Sequence, residues 1–283
     1  MIFKLASGDI LCNLDADNYL GKDFAFYVNM VLNVDRRNML IKKQIIEFEA
    51  DRNTFGRICI KRDDFYQVRG FDEKMKGYGF EDTDIVNRLQ RSGVEPEYIV
   101  DRLFLDSISH SDTIRIANEE FTSKVIKILL RYVNHYSSEI VVLFKDSMFE
   151  RVLIVDNFLL QTLLNNRFKK YDSSYDVILA QNNYEIGQWE TTINSNLIFL
   201  PANNLRKRIL KWQNDSQCYK FRKKTYHCIS SGILFDQILF LLPQIKNRNL
   251  MEYNKTLPSI VNSIGFGKGT VVMNFSDEPI FLE

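Results

Sequence analysis

Three groups of residues in this sequence are of types that hold metal ions and move protons. Asp15 and Asp17 lie one residue apart in "LDADN", at the end of the apolar run Ile10-Leu11-Cys12-Asn13-Leu14. If that run is a strand that continues through the acids, residues two apart point to the same side. Two carboxylates converging at a strand's carboxyl end suit a hard divalent cation that also holds phosphate oxygens. By itself Asp-x-Asp is a common pattern, and a solvated turn is the simpler account of it. The second group is "GYGFEDTD", where Gly77-Tyr78-Gly79 precedes Glu81-Asp82-Thr83-Asp84. Acids in a first helical turn are favoured by the helix dipole, which explains the acids but not the glycine-flanked tyrosine beside them. The third is His110, in "DSISHSD", which reads on its own as a surface or hydrogen-bonding histidine.

The elements that must position these residues follow from pattern and punctuation. Strands are expected at 10–14, 44–49, 56–61 and 98–103, and helices at 23–34, 63–68 and 81–91, the last closed by Gly93. Alternating strands and helices argue for an α/β layered sheet. Beyond about residue 113 the texture changes. Ile116, Phe121, Val125, Ile128 and Leu129 have mostly helical spacing and predict a helix of about five turns or more. Strands at 139–144, 151–155, 176–180 and 196–200, and helices near 158–168, 205–214 and 233–245, complete the reading. No Ser/Gly-rich linker is visible, and a soft boundary falls near 122. This gives a first domain of 1–122 and a second, accessory or acceptor-side α/β domain of 123–283.

With these placements, the stretch from Gly56 to Gly93 resembles the C-terminal half of the catalytic domain of inverting glycosyltransferases of the GT-A fold. It is similar to the family 2 enzymes and to the galactosyltransferase C-terminal segment, where Gly-(Trp/Tyr)-Gly precedes Glu-Asp-x-Asp and a later Arg-Leu. Those positions here are Gly77-Tyr78-Gly79, Glu81 to Asp84, and Arg88-Leu89. "LASGDILCNLDADN" matches the family's Asp-x-Asp strand, and His110 stands where the family often completes its metal site. The resemblance spans Leu5 to Arg115.

The resemblance implies a GT-A-like mixed sheet with flanking helices. It implies a metal-dependent transfer of a hexose or N-acetylhexosamine from a nucleotide diphosphate sugar, most simply a UDP-sugar. The acceptor would be a hydroxyl of a saccharide or lipid-linked saccharide, with inversion. It assigns Asp17, Asp15 and His110 to Mn2+ or Mg2+, and Asp82 to the base that deprotonates the acceptor. Glu81, Tyr78 and Gly79, with Asp15, fall to substrate binding. Asp84 and Arg88, at i and i+4, are placed to pair with each other.

The chain departs from the family pattern in front. Family members carry nucleotide-binding strand–helix–strand units before the Asp-x-Asp strand, each about 30 residues or more. Only 14 residues precede Asp15. The expectation is therefore an N-terminally truncated domain with an unpaired sheet edge and bare apolar faces. An inactive remnant that binds a glycan or a partner is the alternative reading. A sugar nucleotidyltransferase of related fold is a third, disfavoured because that reaction has no acceptor sugar to deprotonate. The second half faintly resembles acceptor-side segments of other nucleotide-sugar transferases. There an Asn-Ser strand is followed by a helix ending in Trp and a later Asp-Gln. Asn194-Ser195, Trp212 and Asp236-Gln237 fit, and Asp156-Asn157 closes "VLIVDN".

Composition bounds the classes. The net charge of +1, with 45% hydrophobic and 26% charged residues, is that of a globular protein with a substantial core. Neither charge nor motif indicates a nucleic-acid binder. Arg206, Lys207, Arg208, Lys211, Lys220, Arg222, Lys223 and Lys224 crowd one stretch, interleaved with Trp212, Tyr219 and Phe221. A solvated helix face is the default account, and a peripheral contact with an anionic membrane is the other. "MIFKLASGD" lacks the apolar core of a signal peptide, and no apolar run is long enough to span a bilayer. The four cysteines share no C-x-x-C spacing and read as buried, reduced thiols. The expected location is cytoplasmic, including the inner face of the membrane.

Overall fold

In the computed structural model the described residues are 2–43, 53–108, 114, 120–134, 137–155, 178–194, 196–202, 205–213, 217–272 and 279–282. The chain divides into two compact units. One comprises 1–111 with 250–283, and the other 112–249. The sequence suggested one boundary near 122, whereas the contacts also return the last 34 residues to the first unit.

The first unit begins with β1 (Ile10–Asn13), β2 (Asn18–Tyr19), α1 (Phe24–Leu32), β3 (Asn38–Ile41) and β4 (Ile58–Lys61). It continues with α2 (Arg62–Gln67), α3 (Glu81–Arg91), β5 (Glu95–Tyr98) and β6 (Asp106–Ser107). A four-stranded mixed sheet has the order β1-β4-β3-β5, with only β3 and β5 parallel. The short strands β2 and β6 form a separate ribbon. Side-chain alternation sorts two cores onto the two faces of the sheet. Met39, Ile41, Ile58 and Ile60 pack with Phe65, Val68, Ile85 and Leu89 of the α2–α3 side. Leu40 and Cys59 pack with Phe24, Val28 and Leu32 of α1. All four residues of β3 are buried; Met39, Leu40 and Ile41 form an apolar run, and Asn38 donates from Nδ2 to the Val31 carbonyl at 3.1 Å. The bare faces anticipated from the sequence are therefore covered, by helices of the same unit.

Two local expectations are corrected here. The strand expected at 98–103 lies earlier, at β5, where Pro96 is tolerated because β5 ends the strand order. Residues 102–104 instead form a single 3-10 turn, whose Leu103 amide donates to the Asp101 carboxylate at 2.9 Å. The strand expected at 44–49 lies outside the described residues.

The second unit holds α4 (Glu120–Lys124), β7 (Val125–Asn134), β8 (Ser137–Phe144), β9 (Met148–Val155) and β10 (Ile178–Gln188). Next come β11 (Glu190–Thr191), β12 (Leu197–Ala202), β13 (Leu205–Gln213), β14 (Cys218–Phe221) and β15 (Lys224–Ile229). The helix α5 (Ile233–Lys255) follows, and β16 (Gly269–Val272) and β17 (Pro279–Leu282) form a terminal hairpin in the first unit. Strands β7 to β15 form one nine-stranded antiparallel sheet, order β10-β9-β8-β7-β15-β14-β13-β12-β11. Strands β10 and β12, distant in that order, approach one another, so the sheet curls round on itself. One face packs Ile128, Leu130, Ile140 and Val142 against Ile238, Leu239, Leu242 and Ile245 of α5. The other buries Leu129, Val141, Leu143, Tyr219 and Tyr226, with Glu139 bonded to Arg131 and Arg151.

The long helix expected after residue 113 is thus replaced over 125–134 by a strand, and the helix expected at 205–214 by β13. Both faces of β7 are covered, so Ile128, Leu129 and Leu130 are all apolar. A doubly buried strand cannot be told from a buried helix by periodicity. The helix expected near 158–168 lies outside the described residues. No described helix is long and apolar enough to cross a membrane.

One polar network ties the first unit together. Arg88, 1% exposed, donates from Nε to Asp84 Oδ2 at 2.7 Å and from its terminal nitrogens to the carbonyls of Val68 and Gly70. Asn254 Nδ2 donates to both Asp72 Oδ2 and Asp84 Oδ1, at 2.8 and 2.9 Å. The pairing of Asp84 with Arg88 follows the helical i, i+4 spacing, but burial makes it a structural anchor rather than a surface pair. Arg88→Ala strands Asp84 in the core and is expected to cost about 3 kcal/mol in urea unfolding. A loss under about 1 kcal/mol would contradict the role given to this network.

Candidate active site

The site grows from the end of β1 and the start of β4. Asn13, the last residue of β1, donates from Nδ2 to the Gly56 carbonyl at 2.8 Å. The chain then turns over Asp15 to Asn18, with the Asn18 amide donating to the Asp15 carbonyl at 3.0 Å. The Asn18 side chain is the hub of this turn. Its Nδ2 donates to Asp17 Oδ1 and to the Asn53 carbonyl, both at 2.9 Å, and its Oδ1 accepts from Arg57 Nη2 at 2.8 Å. Ile108 N donates to the Asp17 carbonyl at 2.8 Å, which fixes the turn to the strand pair β2–β6.

Arg57 is fully buried under this turn, and its Nε and Nη1 make no hydrogen bond among the described residues. Burial pulls its guanidinium below the ordinary range, with Cys59, Asp15 and Asp106 opposing that shift. Its charge lies 5.9 Å from the Phe24 ring centroid, the apolar side of its enclosure.

The opposite wall is the first turn of α3. The chain enters it through three residues with positive φ, Gly77 (71°), Gly79 (104°) and Phe80 (71°). Left-handed backbone at 77 and 79 explains the two glycines around Tyr78. The half-buried Tyr78 is carried on this turn, and α3 then begins at Glu81.

The two walls meet at Gly56. A Cβ added to this glycine would lie 2.9 Å from Asp15 Oδ2 and 2.9 Å from Asp82 Oδ2. Both oxygens are that close to one point, so they lie within twice that distance of each other. Any side chain at position 56 would part them. The Asp82 carboxyl is pushed from its ordinary pKa of 3.8 up to about 7. Burial is the largest cause, followed by the charges of Glu81 and Asp15. An acid placed to stabilise a helix end is favoured in its ionised form, and Asp82 is disfavoured in it.

The residues expected from the sequence are distributed as follows. Asp15 and Asp82 are brought together at Gly56, and Glu81 is close enough to Asp82 to raise its pKa. Asp17 lies in the same turn, with its carboxylate on Asn18. Among the described residues no three His, Cys, Asp or Glu side chains form a group able to hold a metal. His110, the expected third ligand, lies outside them. Of the expected ligands, Asp15 and Asp17 lie in one turn, and carboxylates are the donors a hard divalent cation takes. Asn13, Asn18, Gly56 and Arg57 were not singled out by sequence reasoning. Asn18 and Gly56 adjoin the motifs, but only the fold makes them neighbours.

The acceptor-side pattern suggested for the second half does not form. Trp212 lies on the strand β13 where that pattern needs a helix, and Asp236-Gln237 lies in the first turns of α5. Ser195, Asp156 and Asn157 lie outside the described residues. The basic stretch is likewise on strands. Lys211 is opposite Lys220 in register, and Arg222, Lys223 and Lys224 are exposed at the β14–β15 turn.

Comparison with known families is consistent with the class this geometry suggests. Residues 38–111 of the 283 match a family model described as the N-terminal domain of galactosyltransferase. No curated protein and no solved structure gives a significant match. The matched segment runs from β3 past β6, including Gly56, Arg57, the Gly-Tyr-Gly turn, Asp82 and Arg88, and ending just after His110. Asp15 and Asp17 precede it. The match supports a glycosyltransferase-like family, carried by this segment of the first unit.

The raised pKa of Asp82 has a stability signature. In the folded chain Asp82 holds its proton up to about pH 7, and in the unfolded chain only to about 3.8. The stability this contributes is complete below pH 3.8 and lost as pH rises through 7. Asp82→Asn, which cannot ionise, is therefore expected to match the parent near pH 4 and to exceed its Tm at pH 8 by about 5 °C or more. Equal melting temperatures at pH 8 would contradict the assigned pKa.

Proposed function

We propose that this protein is a metal-dependent glycosyltransferase. It moves a hexose or N-acetylhexosamine from a nucleotide diphosphate sugar to a hydroxyl of a glycan or glycolipid, with inversion. The observation that carries the reading is the meeting of Asp15 and Asp82 at Gly56, with Asp82 poised near neutrality. The family match over 38–111 supports the reaction class.

In this reading Asp82 accepts the proton of the acceptor hydroxyl as its oxygen attacks the anomeric carbon. A base with a pKa near the working pH combines a useful deprotonated fraction with adequate driving force. The bond from the anomeric carbon to the diphosphate breaks on the opposite side, and the nucleotide diphosphate leaves. Glu81 accepts hydrogen bonds from acceptor hydroxyls, and Tyr78 offers a ring face to the sugar. Asp15 and Asp17, with His110, would hold Mn2+ or Mg2+, which when bound would supply Lewis-acid neutralisation of the departing diphosphate. Asn18 and the buried Arg57 position the turn that carries both aspartates. A UDP-sugar is the proposed donor and a saccharide or lipid-linked saccharide the acceptor. The basic stretch from Arg206 to Lys224 is proposed as a peripheral contact with an anionic membrane surface, at its cytoplasmic face.

The test combines binding and turnover. UDP, GDP and their sugars are expected to raise Tm only with Mn2+ or Mg2+, and Asp15→Ala or Gly56→Ala is expected to abolish that rise. Asp82→Asn should lower transfer to an acceptor by about 100-fold or more while the nucleotide-dependent rise persists. If no nucleotide shifts Tm with either metal, the transferase reading fails. The chain would then be an inactive remnant that binds a glycan or a partner.

A further inference from the structure

Cys12 and Cys59 stand directly opposite each other on β1 and β4. Directly opposed residues of antiparallel strands point to the same face. The ladder also fixes which kind of pair they form. Arg62 N donates to the Asp9 carbonyl at 2.8 Å, which makes 9 and 62 a hydrogen-bonded pair in the same register. Such pairs alternate along an antiparallel ladder, so 11/60 and 13/58 are hydrogen-bonded and 12/59 is not. Non-hydrogen-bonded pairs bring their α-carbons to about 4.5 Å and their side chains closest. That separation lies inside the window a disulfide spans, about 4.4–6.8 Å.

The two thiols are unequal. Cys12, on the strand that ends the sheet order, is exposed, whereas Cys59 is fully buried against the α1 side. The sequence suggested that both were buried, reduced thiols; Cys12 is exposed. The thiols are hydrogen-bonded to each other. That bond favours the thiolate at Cys12 and, with burial, the thiol at Cys59. An exposed thiol of lowered pKa directly opposite a sheltered thiol is the arrangement of a reactive dithiol pair.

We propose that Cys12 and Cys59 are a redox-modification site that closes to a cross-strand disulfide by exchange with a small disulfide of the glutathione class. Cys12 thiolate attacks one sulfur of the small disulfide, breaking its S–S bond and releasing one small thiol. Cys59 gives its proton to solvent and attacks Cys12 Sγ in the mixed disulfide. The Cys12–Cys59 bond forms and the second small thiol departs. The two protein thiols are oxidised by two electrons, and the small disulfide is reduced to two thiols. The bond ties together β1, which leads into the turn at Asp15, three residues beyond Cys12, and β4, which follows Gly56, three residues before Cys59. It therefore acts on the spacing of the carboxylate pair, whatever substrate that pair serves.

The test uses the whole chain, equilibrated in oxidised and reduced glutathione across a range of ratios. Thiols are then blocked with N-ethylmaleimide, the chain is digested, and the peptides are analysed by mass spectrometry. The expected product is a Cys12 peptide joined to a Cys59 peptide, two hydrogens lighter than the sum, with Cys218 and Cys228 alkylated. Dithiothreitol should restore both thiols. Cys12→Ser, at an exposed position that the fold tolerates, should lose the product and leave Cys59 alkylated. Recovery of both cysteines as alkylated thiols in the most oxidising buffer would overturn the proposal. So would a lasting glutathione adduct on Cys12 with Cys59 still reduced.

Discussion

Two carboxylates pressed towards one point repel, and the fold has to supply the free energy that keeps them there. The expense is visible in Asp82, whose pKa near 7 is what burial and the neighbouring charges of Glu81 and Asp15 do to an aspartate. The surrounding features serve this one approach. Gly56 vacates the space between the carboxylates. Asn13 fixes Gly56 to the end of β1, and Asn18 with Arg57 holds the Asp15–Asp17 turn. On the other side, Asp84 and Arg88 lock α3, which carries Asp82 in its first turn, to the loop before it.

The most distant contribution comes from the end of the chain. Residues 250–283 belong to the first unit, and two asparagines there bond to the loop that leads into α3. Asn254 bridges Asp72 and Asp84, and Asn262 donates from Nδ2 to the carbonyls of Arg69 and Phe71. Phe266 packs on Phe65 and Tyr66, with ring centroids 6.1 and 5.6 Å away. The loop carrying Gly70 to Gly79 has little regular structure of its own, so these tertiary bonds stand in for it. The geometry at Asp82 thus depends on residues more than 160 positions away in sequence.

How much of this was legible in the sequence depended on locality. The helices α1, α2 and α3 showed through their apolar spacing, and α3 through its first-turn acids and Gly93. The acids of the site could be read because they sit in short motifs that resemble a known family. Asn13, Asn18, Gly56 and Arg57 act across the sheet, and nothing in their immediate neighbours announces that. Asn254 is harder still, since a lone asparagine in a long helix carries no signal of its partner. In the second unit the failures have one cause. Strands such as β7 and β13 are apolar or amphipathic on spacings that also suit a helix, and only pairing with neighbouring strands decides between the two.

The central claim is that Asp82 is held near neutrality by its burial, with the charges of Glu81 and Asp15 adding to the shift. It is tested most directly by following the carboxyl carbon of Asp82 by NMR across pH, in the metal-free chain and in Asp15→Asn. A midpoint near 7 that falls when Asp15 loses its charge is the predicted result. A midpoint near 4, or one that does not move in Asp15→Asn, would contradict it.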